Sequence, residues 1–330
     1  MSTTKKTYEI TWIKDCFFNL SLFVIVLFAV TALIPTIWGN IYVIEILVRC
    51  ITFGLVVMSW DVLCGYTELH NFGHAFFVGV AAYIAGILNV EFGLPPVLTI
   101  PVGGIISGLS GLIIGILTLR LKGAYFALAT MVVGGMVFKL VYILHSITGG
   151  EEGISGIGTI TDTITGDLYV CLSITFICYL LLNAFTRSKY GLILKSTKAN
   201  VADAAEASGI NTAFYKTLAF TISGFVAGIG GGLIALTSMS VGPKMIDGHY
   251  SVVIMLNAMV GGEGTIAGPL IFGFLIPVLN EWLRFIDVYR HIITLGFLFV
   301  LFYINPQGML NLPFLRRFNR LRNFLLGKNS

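Results

Sequence analysis

In this chain of 330 residues, 56% are hydrophobic and only 11% are charged, whereas soluble domains carry about 25% charged residues. Apolar stretches of about 20 residues, the length that crosses ~30 Å of hydrocarbon, recur along nearly the whole chain; they exclude a separate soluble domain and place the chain among polytopic membrane proteins. The net charge of +4 is modest and concentrated in Arg187 to Lys198 and in Arg316, Arg317, Arg320 and Arg322; these mark cytoplasmic loops and give no reason to expect nucleic acid as a partner.

The first apolar stretch, Cys16 to Pro35, is longer than a signal-peptide core and lacks an A-x-A-like cleavage site, so it reads as a retained span. Lys5, Lys6 and Lys14 ahead of it hold the N-terminus in the cytoplasm. Further spans follow near 41–63, 74–90, 97–119, 124–144, 167–185, 213–237, 250–261, 266–283 and 291–305. The expected architecture is therefore an all-α transmembrane bundle, a single transmembrane unit over 1–330 with roughly ten spans, both termini cytoplasmic and a basic cytoplasmic tail at 306–330. On this count the loop His145 to Gly166, with Glu151, Glu152 and Asp162, faces outward, while Arg120, Lys122 and the loop 186–214 face inward. Arg284 and Arg290 fall outside, against the positive-inside rule, and a re-entrant segment between 250 and 290 is the alternative there. Cys16, Cys50, Cys64, Cys171 and Cys178 lie in or beside apolar spans without a C-x-x-C spacing, and read as lipid-buried thiols.

Small residues follow a helical period. Gly103, Ser107, Gly111 and Gly115 recur every four positions, as do Gly224, Gly228 and Gly232; such stripes let neighbouring helices approach closely. Two segments interrupt the pattern, GYTELHNFGHAFF from Gly65 and VGGEGTIAGPLIFG from Val260. They read as discontinuous helices near 65–73 and 260–268, whose free N–H and C=O groups line a solute path, or else as ordinary cytoplasmic turns. Their loose similarity hints at an internal duplication.

Ionisable groups in the spans default to functional hypotheses. Glu45 and Arg49 stand one helical turn apart and account for each other; Lys139 is placed to snorkel. His70 and His74 have i, i+4 spacing, but Gly73 lies between them and no third ligand is spaced nearby, so no metal is expected. Asp61, Asn71, His74 and Asn257 remain as polar lining for a hydrophilic solute.

The stretch KANVADAAEASGINTAFYK is a polar interlude from Lys198 to Lys216. Asn200 is suited to cap a helix of ~8 residues that Gly209 ends in the left-handed region. A helix so short needs a partner surface, since isolated helices require roughly 12–15 residues. Val201, Ala204, Ala205 and Ser208 form a smooth ridge, Asp203 and Glu206 lie opposite, and Asn211 or Thr212 caps the next span.

Asp203 to Gly209 resembles the E-A-A-x-x-x-G coupling motif of ABC importer permeases, with Asp for Glu. Together with GYTELHNFGHAFFVGVAAYIAGIL, RLKGAYFALATMVV, TGGEEGISGI, SKYGLILKSTKANVADAAEASGINTAFYKTLAF and GGEGTIAGPLIFG, in that order from Gly65 to Gly273, the chain resembles the high-affinity branched-chain amino-acid type of permease. Relatives usually show G-x-x-G-x-x-S-L-G-H in the first block, where this chain has Glu68 and Asn71-Phe72. The resemblance implies ATP-driven import of branched-chain amino acids by alternating access, or of urea or amides, with Asp203, Ala204, Ala205, Glu206 and Gly209 coupling to an ATPase. It also implies as partners two cytoplasmic ATP-binding subunits, a second homologous permease, an extracytoplasmic solute-binding protein and the lipid membrane. No G-x-x-x-x-G-K-[ST] loop occurs, so ATP chemistry belongs to other chains, and no catalytic residue or cofactor is expected in this one. An ion-coupled carrier, with Asp61 and Glu68 as its carboxylates, is the rival reading; a membrane-embedded hydrolase would need a third member beside His70 and His74.

Overall fold

A computed structural model describes residues 21–118, 121, 123–199, 201–286, 289–305 and 308–309, and the backbone but not the side chain of residue 291. Among the described residues the fold is all-α apart from one ribbon of two two-residue strands. In chain order the helices are α1 (Ser21–Ile37 within the described residues), α2 (Ile41–Thr67), α3 (His74–Val90), α4 (Pro96–Thr118), α5 (Ala124–Ile143), α6 (His145–Thr148) and α7 (Ile164–Arg187). They continue with α8 (Lys189–Ser196), α9 (Ala202–Ala207), α10 (Thr212–Thr237), α11 (Gly248–Gly261), α12 (Ala267–Trp282) and α13 (Tyr289–Ile304).

Among the described residues, six segments are long and apolar enough to cross a membrane: α2, α4, α5, α7, α10, and Ala267–Ile286, which joins α12 to the 3-10 turn after it. The other four expected positions carry shorter helices, α1, α3, α11 and α13, of which α11 has 14 residues. A chain without a large aqueous surface turns its apolar residues outward: Ile105, Leu109, Ile113, Leu128, Val132 and Met136 on α4 and α5 are all more than half exposed, as side chains facing hydrocarbon are.

Helices in lipid gain little from burying apolar surface against one another, so close packing of small residues holds the bundle. α10 is the central element, packed on α4, α3 and α2, and α2 packs in turn on α12 and α7. The two glycine stripes face each other at the α4–α10 crossing. A Cβ at Gly228 would stand 2.5 Å from the Ser107 Cβ and 2.9 Å from the Gly104 Cα, so the backbones touch there. The buried Ser107 hydroxyl lies 2.8 Å from the Gly224 carbonyl and 3.0 Å from the Phe77 carbonyl, joining α4 to α10 and α3. Phe220 fills the space beside this crossing, edge-on to Phe77 and Phe126 at 5.4 and 5.9 Å.

The described thiols correct the sequence expectation. Cys50, Cys64 and Cys171 are fully buried and Cys178 is 6% exposed, so they are packed between helices and do not face lipid; Cys16 lies outside the described residues. Glu45 and Arg49 pair at 2.6 Å, as their spacing implied.

α10 sets the polarity of the bundle. Its 26 residues span about 39 Å. α9 leads into its N-terminus, and its C-terminus leads into β2 (Ser240–Val241), which pairs antiparallel with β1 (Ile154–Ser155) in the α6–α7 loop. The loop 145–166 and the polar interlude at 198–216 therefore lie at opposite ends of the bundle.

Candidate functional site

The interlude follows α8 and holds α9 and the first turn of α10. α9 has six residues, shorter than the ~8 expected, because its N-terminal boundary is Val201, which offers no side-chain cap; Asn200 is outside the described residues. Its C-terminus has the form expected of a glycine stop. Gly209 sits at φ 83, its N–H donates to the Glu206 carbonyl at 2.9 Å, and the Ile210 N–H reaches the Ala205 carbonyl at 3.0 Å. These two bonds satisfy carbonyls that a helix end otherwise leaves open.

Within α9 and its flanks, Asp203, Ala204, Glu206 and Gly209 are exposed, and Ala205 is turned inward and 6% exposed. The expected ridge of Val201, Ala204, Ala205 and Ser208 is thus split: Ala205 anchors the helix to the bundle while the other three face out. The link to the membrane helix is direct. The Asn211 side chain caps α10 by accepting from the Phe214 N–H at 3.0 Å, and the Thr212 hydroxyl donates to the Glu206 carboxylate. This bond and the four-residue connection 208–211 join α9 to the first turn of α10.

The two helix breaks, residues 68–73 and 262–266, sit at the same end and pack on each other. Glu68 pairs with Lys198 at 3.3 Å and accepts from the Ala199 N–H, also at 3.3 Å, tying the first break to the α8–α9 linker. From Glu68 the chain turns back into the bundle beside the last turns of α2: the Trp60 indole N–H donates to the Asn71 carbonyl at 2.9 Å, and His74 Nε2 lies 2.9 Å from the Ser59 hydroxyl. α3 therefore begins level with Ser59, about 12 Å inside the end of α2.

Asp61 joins the breaks. Its carboxylate accepts from the N–H groups of Gly264 at 2.6 Å and Ile266 at 2.9 Å. Gly65 is required one turn later, because a Cβ there would stand 2.3 Å from both the Asp61 Oδ1 and the Gly264 nitrogen. Each break also holds a non-glycine residue in the left-handed region, Glu68 at φ 59 and Ile266 at φ 58, where backbone strain is expected and surrounding contacts must maintain it.

The four residues read as polar lining are all buried and make separate contacts. Asp61 is engaged by the second break, and His74 by Ser59. Asn257 donates to the Val253 carbonyl at 2.7 Å, and its Oδ1 has no partner among the described residues. Asn71 lines a cavity of about 10 Å³ that does not include the other three, bounded by Gly73, Phe76, Phe77, Ile114, Thr130, Val133 and Phe220, and its Nδ2 has no partner among the described residues. That volume holds about one water molecule, too little for a solute.

The i, i+4 relation of His70 and His74 does not survive folding, because His70 lies in the break and only His74 on the helix. His70 instead meets two residues that sequence spacing could not associate with it. Ligand atoms of Cys64, His70 and Glu263 all lie within 4.8 Å of one another. Glu263 Oε1 is buried, has no hydrogen-bond partner among the described residues and stands 4.0 Å from His70 Nε2. Burial holds the Glu263 carboxyl above the usual carboxylate range, opposed by the charges of His70 and Lys198.

Comparison with known proteins agrees with this architecture. The family model for the permease component of branched-chain amino acid transport systems matches residues 42–305. The chain is similar to LivM, the high-affinity branched-chain amino acid transport system permease protein, of Salmonella typhimurium, with 25% identity over 296 residues covering 81% of this chain and 69% of that one. LivM of Escherichia coli is 26% identical over 295 residues, with the same coverage of 81% and 69%. In fold the chain is similar to an inward-facing ABC transporter of the metal-chelate type, with a TM-score of 0.54 and 19% identity over 88% of this chain and 99% of that one. The family match takes in both breaks and α9, and the chain belongs to the family of permease components of branched-chain amino acid transport systems, as a multi-pass, all-α transport subunit.

Proposed function

We propose that this chain is the permease subunit of an ATP-driven importer that moves branched-chain amino acids across the cytoplasmic membrane by alternating access. In this reading it crosses the membrane ten times with both termini in the cytoplasm, and the loop 186–214 and the tail 306–330 lie on the cytoplasmic side. It works with a second homologous permease, two cytoplasmic ATP-binding subunits and an extracytoplasmic solute-binding protein. The solute assignment rests on similarity to LivM; Asp61, Asn71, His74 and Asn257 are proposed to contribute to the solute path in a conformation more open than this one.

The observation that carries the reading is the wiring of α9. Asp203, Ala204 and Glu206 are exposed, too few residues form the helix for it to be stable alone, and the Glu206–Thr212 bond leads into the helix at the centre of the bundle. A surface of this kind receives work from outside. ATP-driven closure of the partner subunits displaces α9, the displacement turns α10, and the tight α4–α10 and α3–α10 contacts oblige neighbouring helices to move with it, because close-packed interfaces do not deform continuously.

An Ala204→Cys chain in the assembled complex is expected to cross-link to the ATP-binding subunit, while Ser240→Cys at the opposite end does not; uptake by the complex is expected to favour leucine, isoleucine and valine over urea. Cross-linking at Ser240 alone would overturn the coupling assignment, and preferential uptake of urea would overturn the solute.

A further inference from the structure

The meeting point of the two breaks holds a thiol, an imidazole and a carboxylate drawn from positions nearly 200 residues apart in the chain. We propose that Cys64, His70 and Glu263 form a binding site for a zinc-type transition-metal ion.

Their ligand atoms lie within 4.8 Å of one another. Around a tetrahedral zinc with bonds of about 2.0–2.3 Å, adjacent ligand atoms stand about 3.3–3.6 Å apart, so closure on the ion requires movements of about an ångström. Two of the three side chains have room for it. His70 is on a non-helical segment with its side chain 42% exposed, and the Glu263 side chain is 32% exposed. Glu263 also has a reason to take a ligand: its Oε1 is buried and makes no hydrogen bond among the described residues. Asp61 positions it, because the same carboxylate that holds the Gly264 N–H fixes the backbone next to Glu263.

The donor set selects the metal. A thiolate with an imidazole suits zinc, cobalt and copper, whereas magnesium and calcium prefer oxygen ligands throughout. Three protein ligands leave one position for solvent, which reaches the site past the exposed edge of His70. On binding, the Cys64 thiol loses its proton to solvent as the sulfur–metal bond forms, so affinity rises with pH. The bound ion bridges the last turn of α2 to both breaks and holds them together, so it binds well only while they are packed.

The test uses the purified full-length chain and zinc chloride, titrated in competition with a chromogenic chelator, with cobalt as the spectroscopic substitute. One zinc per chain is expected, with a thiolate-to-cobalt charge-transfer band and a higher melting temperature on zinc addition. Cys64→Ser and His70→Asn are each expected to weaken binding at least about tenfold and to remove the thermal shift, while His145→Asn, at the opposite end, leaves both unchanged. Because His70 is exposed, its substitution keeps the test decisive where Cys64→Ser disturbs packing. Absence of zinc binding, a cobalt spectrum without the thiolate band, or unaltered affinity in His70→Asn would overturn the proposal.

Discussion

The Asp61 carboxylate on α2 accepts the backbone N–H of Ile266 at 2.9 Å, and Ile266 is a β-branched residue held at φ 58. A left-handed β-branched residue costs on the order of 1–3 kcal/mol and persists only where its surroundings enforce it. Removing the carboxylate leaves the N–H groups of Gly264 and Ile266 without acceptors, at about 1–3 kcal/mol for each buried donor. Asp61→Ala is therefore expected to destabilise the chain by about 2–5 kcal/mol and Asp61→Asn, which keeps one acceptor oxygen, by about half as much. Thermal melts of the purified chain in detergent check this, and an unchanged melting temperature in Asp61→Ala would show that the carboxylate does not hold the break.

Thr212→Val removes the hydroxyl that bridges α9 to α10 while keeping the side-chain shape. Because the Glu206 carboxylate is on an exposed residue and regains water, the stability cost is expected to stay within about 1 kcal/mol. Solute uptake by the assembled complex is expected to fall severalfold with ATP hydrolysis retained. Parallel measurements of uptake and ATPase rate in proteoliposomes separate this uncoupling from a simple loss of folded protein.

At Gly209, φ 83 is a conformation that a Cβ disfavours by about 1–2 kcal/mol. Gly209→Ala is expected to loosen the end of α9, seen as faster amide hydrogen exchange at Gly209 and Ile210, the two donors that close the helix end. Exchange in α4 and the body of α10 is expected to stay as slow as in the parent chain. Faster exchange throughout would mean that the glycine supports the whole bundle and not the local helix end.

The parts of this fold that obey local rules were legible in the sequence. The glycine stripes of α4 and α10, the Asn211 cap, the Glu45–Arg49 pair and the glycine stop after α9 each depend on residues within a few positions or on a helical period. What escaped depends on tertiary placement. The partners of Asp61 in this conformation are backbone N–H groups about 200 residues away, which sequence spacing does not reveal. His70 and His74 stand at i, i+4, a spacing that places two residues on one face only when both lie in a helix, and His70 lies in the break. Cys64 and Glu263 became neighbours of His70 only when the two interruptions packed together. Ala205 was read as part of an outward ridge, although so short a helix needs an anchor and Ala205 supplies it.

The central claim is that α9 receives the mechanical input that moves the bundle. Its most direct measurement is ATP-driven leucine uptake by the assembled complex in proteoliposomes, with Asp203→Arg and Gly209→Trp compared with the parent chain and insertion verified for each. Loss of uptake in both variants, with the bundle folded and inserted, is the predicted result. Uptake at the parental rate in both would contradict the account.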